Sequence, residues 1–267
     1  MSRKLAKELM SWAKDNITEL EKQLLKNYAK AANEIELQLL KLDKAGSLTQ
    51  SEIVKYGRLE NLRNLIQDEI KSLMKENFKE VDIVRKESFI EGYKRYFEES
   101  GMTMPTLNTD FVKSSLENPL YQADFKEKLS EYVKKNSRKI SDIITQGVTQ
   151  GHTLADIANN MMKYVNNDAK KAITVARTET LRALSEGQLA GTDKLIERGF
   201  KVKKVWVYSY HVKGSRPDHE AMDGNESDDE GIFTLRNGNS APAPHLFNLP
   251  EEDINCRCSF YNEIIQE

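Results

Sequence analysis

Cys256 and Cys258, the only two cysteines of the 267-residue chain, stand two positions apart near its end. A disulfide between residues that close is strained, so the pair is not read as a staple. On an extended segment they point to one face, where two thiolates can share a metal ion. His219 and Asp223, four apart, share a face if their stretch is helical. Two thiolates, one imidazole and a fourth ligand from Asp223, His211 or His245 make a tetrahedral set of the kind zinc takes. Structural zinc suits a small module with little core of its own. The same residues carry two other readings. Cys256 and Cys258 can be small buried hydrophobes while His219 holds a loop by hydrogen bonds. Alternatively, His219 is the base for a thiol nucleophile at Cys256 or Cys258. The sequence has no nucleophile elbow, phosphate loop or paired-carboxylate motif, and Gly147 to Gly151 lacks the Lys-Ser/Thr of a phosphate loop. The chain is therefore not expected to be an enzyme.

A second group is Ala176-Arg177-Thr178-Glu179 on a predicted helix. Arg177 and Glu179 are two apart and cannot face each other, whereas Glu179, Arg182 and Glu186 can. The plain reading is a surface ladder of ion pairs, worth about 0.2–0.5 kcal/mol each. The sharper reading has Arg177 and Glu179 anchoring the C-terminal segment to this helix.

Long helices must position these groups. Ile17, Leu20, Leu24, Tyr28, Ala31, Ile35, Leu39 and Leu42 recur at spacings of three and four, which predicts one amphipathic helix over the first forty-odd residues. Ala45-Gly46-Ser47 breaks it, and Thr49-Gln50-Ser51-Glu52 has the form of a capping box. A second stripe follows: Leu59, Leu62, Ile66, Ile70, Leu73, Val81 and Val84. Two such helices form an antiparallel hairpin, either packed in a bundle or left as a docking arm. Ser100 to Thr109 reads as a loop. Phe111 to Gln146 is helical with a break at Asn118-Pro119. A short helix opens at Thr153 and runs to about Val165. Asn167-Asp168 then caps a further helix that ends at Gly199. Beyond it, Lys201 to Tyr210 alternates and is rich in Val and aromatics, so it reads as a strand. One or two more strands are expected from Ile254 to Ile265. The expected architecture is mainly α with a small C-terminal α+β module: a helical hairpin or arm over 1–99, a helical region over 110–200, and a small β-rich module over 201–267. So short a module is expected to pack on the helix before it.

Hydrophobic residues make up 39% and charged residues 31%, a balance that suits long, surface-rich helices. The net charge of −2 excludes a polycation that coats nucleic acid. From Trp206 onward, 12 acidic residues stand against 4 Lys and Arg, which argues against DNA binding there. Between Gly101 and Val205, 17 Lys and Arg stand against 12 acidic residues, which permits weak, salt-sensitive contact with nucleic acid. No apolar run approaches the roughly 20 residues of a membrane span, and the opening MSRKLAKELMSW lacks a secretory leader's apolar stretch. A reducing cytosol and no membrane partner are expected.

The ordered set Ala176-Arg177-Thr178-Glu179, Trp206, Arg216-Pro217-Asp218-His219-Glu220-Ala221-Met222-Asp223-Gly224 and Asn255-Cys256-Arg257-Cys258 resembles the phage Mu F-like minor head proteins, the phage head-morphogenesis family. The resemblance runs from about Ser141 to Tyr261. Many members carry an Asp between the Trp and the Arg, and Tyr208 to Ser215 has none. The resemblance implies a structural minor capsid protein of a tailed phage, present in few copies. Such a protein binds the phage portal protein at the portal vertex, with scaffold and major capsid protein as further partners. It acts in head assembly, genome delivery or both. It implies residence in the host cytoplasm during assembly and then in the virion head interior. The alternative is a DNA-binding ejection protein in contact with phage DNA.

Overall fold

A computed structural model describes residues 2–44, 58–117, 125–209 and 216–265. The protein is mainly α with a small β-containing end. Among the described residues five helices come first: α1 (Arg3–Lys44), α2 (Arg58–Ser100), α3 (Thr109–Leu116), α4 (Phe125–Thr149) and α5 (Leu154–Glu197). Then come β1 (Lys201–Val207), the single-turn α6 (Pro217–Glu220), the short β2 (Phe233–Thr234) and β3 (Ser240–Ala241), α7 (Pro250–Asp253) and β4 (Ser259–Ile265). The predicted break at Ala45-Gly46-Ser47, the capping box at Thr49 to Glu52, the break at Asn118-Pro119, and His211 lie outside the described residues.

Two compact units divide the chain. One is built from 1–20, 81–122 and 174–267, and the other from 21–80 and 123–173. In the second unit, α1 and α2 run antiparallel: the Asn27 side-chain amide donates to Asn77 at 2.9 Å, and Lys30 pairs with Glu76 further along α1 and earlier on α2. The stripe residues Tyr28, Ala31, Ile35, Leu62, Ile66, Ile70 and Leu73 are buried, as the spacing predicts. They are covered by Ile140 and Ile144 of α4 and by Ile157, Met161, Val165 and Ala169 of α5. The hairpin is therefore packed as part of a bundle rather than as a bare arm.

The helix ends follow local chemistry. Asn108 accepts the Phe111 amide at 2.7 Å to start α3. Thr153 and Asp156 exchange side-chain bonds with each other's amides to start α5. Gly199, at φ +89°, closes α5 with Phe200 N–H on Leu195 O and Gly199 N–H on Ile196 O, a Schellman arrangement. One expectation fails. Asn167-Asp168 caps nothing, because α5 runs without a break from Leu154 to Glu197. Neither Gly nor Pro interrupts the chain there. The Asp168 carboxylate instead accepts the Tyr28 hydroxyl at 2.8 Å, the Tyr132 hydroxyl at 2.5 Å and the Asn136 amide at 3.1 Å. Burial and the Asp168 charge push the Tyr28 hydroxyl pKa far up, so it stays a donor.

In the first unit, α2 and α5 touch backbone to backbone. A Cβ on Gly187 would fall far inside contact distance of the Phe89 carbonyl, and one on Gly92 inside that of the Leu184 carbonyl. Gly187→Ala is therefore expected to destabilise this unit by about 1–3 kcal/mol, through forced separation of the two helices. Urea denaturation compared with Ala190→Gly checks it: an unchanged midpoint for Gly187→Ala is the contrary result.

The β segment packs on this helix pair. β1 and β4 are antiparallel, with Trp206 opposite Phe260 and Val205 opposite Tyr261. Gln188 of α5 donates to the Phe260 carbonyl at 3.1 Å, and Thr192 exchanges hydrogen bonds with Asn262. Tyr93 and Phe97 of α2 and Leu195 of α5 share one core with Trp206, Phe233, Leu246 and Phe260. The alternation predicted for β1 fails at its end, where Lys204 to Val207 are all buried, so both faces are covered.

Lys204 is the polar exception in that run. Its ammonium donates to the Pro242 carbonyl at 2.5 Å and lies 5.8 Å from the ring centres of Phe233 and Phe260. Burial pulls its pKa down to about 8, against the opposing pull of Asp193 and Asp228. The unfolded value is about 10.4, so between these values the unfolded chain binds the extra proton and stability rises with pH. Wild type should gain up to about 3 kcal/mol relative to Lys204→Met between pH 7 and 10.5. Parallel pH profiles of the two proteins would contradict this.

Candidate functional site

The residues singled out by type and spacing gather in the first unit. Cys256 and Cys258 lie in the turn between α7 and β4, just before the strand rather than on it. Asn255, at φ +61°, bends the chain so that both sulfurs meet His219. The His219 Nδ1 stands 3.5 Å from Cys256 Sγ and 3.6 Å from Cys258 Sγ. All three side chains are buried, at 2%, 3% and 3% relative exposure. The other ring nitrogen, Nε2, lies 2.8 Å from Glu252 Oε2. The second Glu252 oxygen accepts from Asn237 at 2.8 Å and Asn239 at 2.9 Å. The His219 ring meets the Trp206 indole edge-on at 5.5 Å and stacks with Phe247 at 6.0 Å.

Burial disfavours charge on every group here, yet the pairings prevail at three of them. Burial would lower the His219 pKa, but the Cys256 sulfur and the Glu252 carboxylate on its two nitrogens hold it above its ordinary value. Burial would raise Glu252, and hydrogen bonds from Asn239, Asn237 and His219 hold it down. Cys256 sits well below an ordinary thiol: burial is outweighed by Cys258, His245 and His219. Cys258 is pushed well up, by burial and then by the neighbouring Cys256.

The other sequence candidates occupy separate places. Asp223 accepts from Arg3 at 2.6 and 2.7 Å and from the Tyr208 amide at 2.9 Å, and stands outside the thiol–imidazole group. His245 directs Nε2 to the Cys258 carbonyl at 2.9 Å. Arg216 donates to the Ile254 carbonyl at 2.7 Å, and Gly224 takes a φ of +80° as its amide bonds the Trp206 carbonyl. Arg257 is half-buried between the two cysteines in sequence.

On α5, Arg177 reaches Asn255 at 3.5 Å, while Thr178 bonds back to the Thr174 carbonyl at 2.9 Å. Glu179 faces Arg85 of α2 at 3.8 Å. Glu179, Arg182 and Glu186 are all buried, so no surface ladder exists there. The strongest attachment belongs to Arg182, which donates to Asn248 at 2.8 Å and to Asp253 at 3.2 Å. Arg182, Asn248, Asp253 and Glu252 carried no sequence signal that tied them together, since their partners are distant in the chain.

Residues 138–261 match the family described as Phage Mu protein F like protein. The NAD(+)--arginine ADP-ribosyltransferase EFV of Enterococcus faecalis is 28% identical over 272 residues, covering 96% of this chain and 54% of its own length. Minor head protein GP7 of Bacillus phage SPP1 is 26% identical over 264 residues, covering 94% of this chain and 84% of its own length. The chain thus spans about half of the first relative and most of the second. No solved structure matches. The matched span holds both halves of the arrangement above, from the α5 arginines to the Asn255-Cys256-Arg257-Cys258 turn, and over this segment the chain is similar to the phage Mu protein F-like family.

Proposed function

We propose that this chain is a structural minor head protein of a tailed phage that binds the portal vertex and acts in head assembly, genome delivery or both. The observation that carries this reading is the alignment with a phage minor head protein along 94% of this chain and 84% of that relative. The site supports it, because the family motif is spent on attachment. Arg177 meets Asn255, Arg216 holds the Ile254 carbonyl, and Asp223 holds Tyr208 and Arg3. Scaffold and major capsid protein are further partners in this reading, and the chain passes from the host cytoplasm into the virion head interior. No described helix is long and apolar enough to cross a membrane.

The enterococcal relative raises a second reading, arginine ADP-ribosylation by this chain. The alignment leaves nearly half of that relative unmatched, room enough for an activity the shared segment lacks. The imidazole–thiol pair is closed to substrate by burial. Incubation with labelled NAD and arginine-rich acceptors should give no transfer. Transfer that survives Cys256→Ser would move the reading toward the enzyme.

Portal binding is tested by co-expression with the portal protein of the same phage and native mass spectrometry of the purified rings. Rings that carry a small, defined number of these chains are expected. Bare rings beside folded free chain would reject portal docking.

A further inference from the structure

We propose that His219, Cys256 and Cys258 bind one zinc ion, which pins the segment of α6 to the turn before β4. The separations fit a shared ion. With Zn–S of about 2.3 Å, Zn–N of about 2.0–2.1 Å and tetrahedral angles, nitrogen and sulfur ligands of one zinc stand about 3.6 Å apart. The two Nδ1–Sγ distances are 3.5 and 3.6 Å. A single imidazole proton serves one sulfur well. A nitrogen nearly equidistant from two sulfurs is the arrangement that one shared metal ion produces.

The surroundings fit as well. The three ligand atoms all lie within 4.8 Å of one another, on side chains that are all buried. Glu252 engages the far nitrogen of His219, and Asn237 and Asn239 hold that carboxylate in turn. This carboxylate–imidazole pairing places the ring proton on Nε2 and leaves the Nδ1 lone pair for a metal. Two thiolates neutralise a divalent ion, so the loaded site buries no net charge beyond that of Glu252. Asp223 is committed to Arg3 and Tyr208. The fourth position falls to water, since among the described residues the group holds no fourth His, Cys, Asp or Glu. The role is structural: the ion ties together two segments more than thirty residues apart, in a part of the chain with short strands and one-turn helices.

The test uses the full chain. Elemental analysis after expression in zinc-containing medium should find one zinc per chain. Chelation should lower the thermal midpoint and expose two thiols to a thiol reagent. Reloading with cobalt(II) should give thiolate-to-cobalt charge-transfer absorption and tetrahedral ligand-field bands. Glu252→Gln should weaken zinc binding by about 10- to 100-fold. Asp223→Asn should leave it unchanged, and Cys256→Ser should abolish it. If Cys256→Ser does not fold, the cobalt spectrum of the wild-type chain decides. The proposal is overturned by a folded full chain that retains no stoichiometric zinc, gives no thiolate–cobalt band and keeps its thermal midpoint under chelation.

Discussion

Arg182→Ala is expected to lower the unfolding free energy of the first unit by about 3–5 kcal/mol, the usual cost of removing one partner of a buried ion pair. Arg182 and Asp253 are nearly inaccessible, with side-chain exposures of 7% and 3%. Asp253 also accepts the amides of Phe247 at 3.2 Å and Asn248 at 2.9 Å, so it cannot turn toward solvent when the guanidinium is lost. Burial already raises the Asp253 pKa, and Arg182 is the first group opposing that rise. Without Arg182 the carboxyl pKa should rise further. Asn248 would lose the donor that bonds its side chain at 2.8 Å. The loss should appear in urea denaturation, together with faster proteolysis between β1 and β4. Arg177→Ala serves as the contrast. Its contact with Asn255 is long and exposed, so its cost should be under about 1 kcal/mol. Equal effects of the two substitutions would show that attachment does not run through Arg182.

Trp206→Ala is expected to cost a similar amount, about 3–5 kcal/mol, for a different reason. The indole is fully buried and meets Phe233 at 5.2 Å and Phe247 at 6.3 Å as well as the His219 ring. Its removal opens a cavity where β1 faces β2 and the α6 segment, and these short pieces have little other core. Trp206→Phe should recover much of the loss, because a ring still fills the space. A large loss of near-UV ellipticity with retained helical signal is expected for the alanine variant, since α1, α2 and α5 have other packing partners. A variant that keeps wild-type stability would contradict the placement of Trp206 at the centre of this core.

Much of this was legible in the sequence, and the failures share one cause. Helical stripes such as Ile17 to Ile35 report a single buried face, so periodicity alone placed α1 and α2. Gly199 was readable because a left-handed residue after a helix has few other uses. Asn167-Asp168 misled because an Asp preceding an apolar helix has the form of a cap. Its tyrosine partners, Tyr28 and Tyr132, sit 140 and 36 residues away, beyond any local pattern. The helix spacing puts Arg182 in a surface ladder for the same reason, as its true partners follow 66 and 71 residues later. The grouping of His219 with Cys256 and Cys258 was accessible because only these residue types could share such chemistry. The separate placement of Asp223 depends on Arg3, at the far end of the chain, and His245 depends on a backbone carbonyl; neither bond has a sequence signature. His211 lies outside the described residues.

The most direct measurement is quantitative mass spectrometry of purified, nuclease-treated particles of the encoding phage, set against the portal protein as an internal standard. A structural minor head protein predicts a small, constant number of these chains in every full head, and the same number in heads that carry an Arg182→Lys chain that still folds. Particles that are complete and infectious without the chain, with all of it left in the lysate supernatant, would contradict the account.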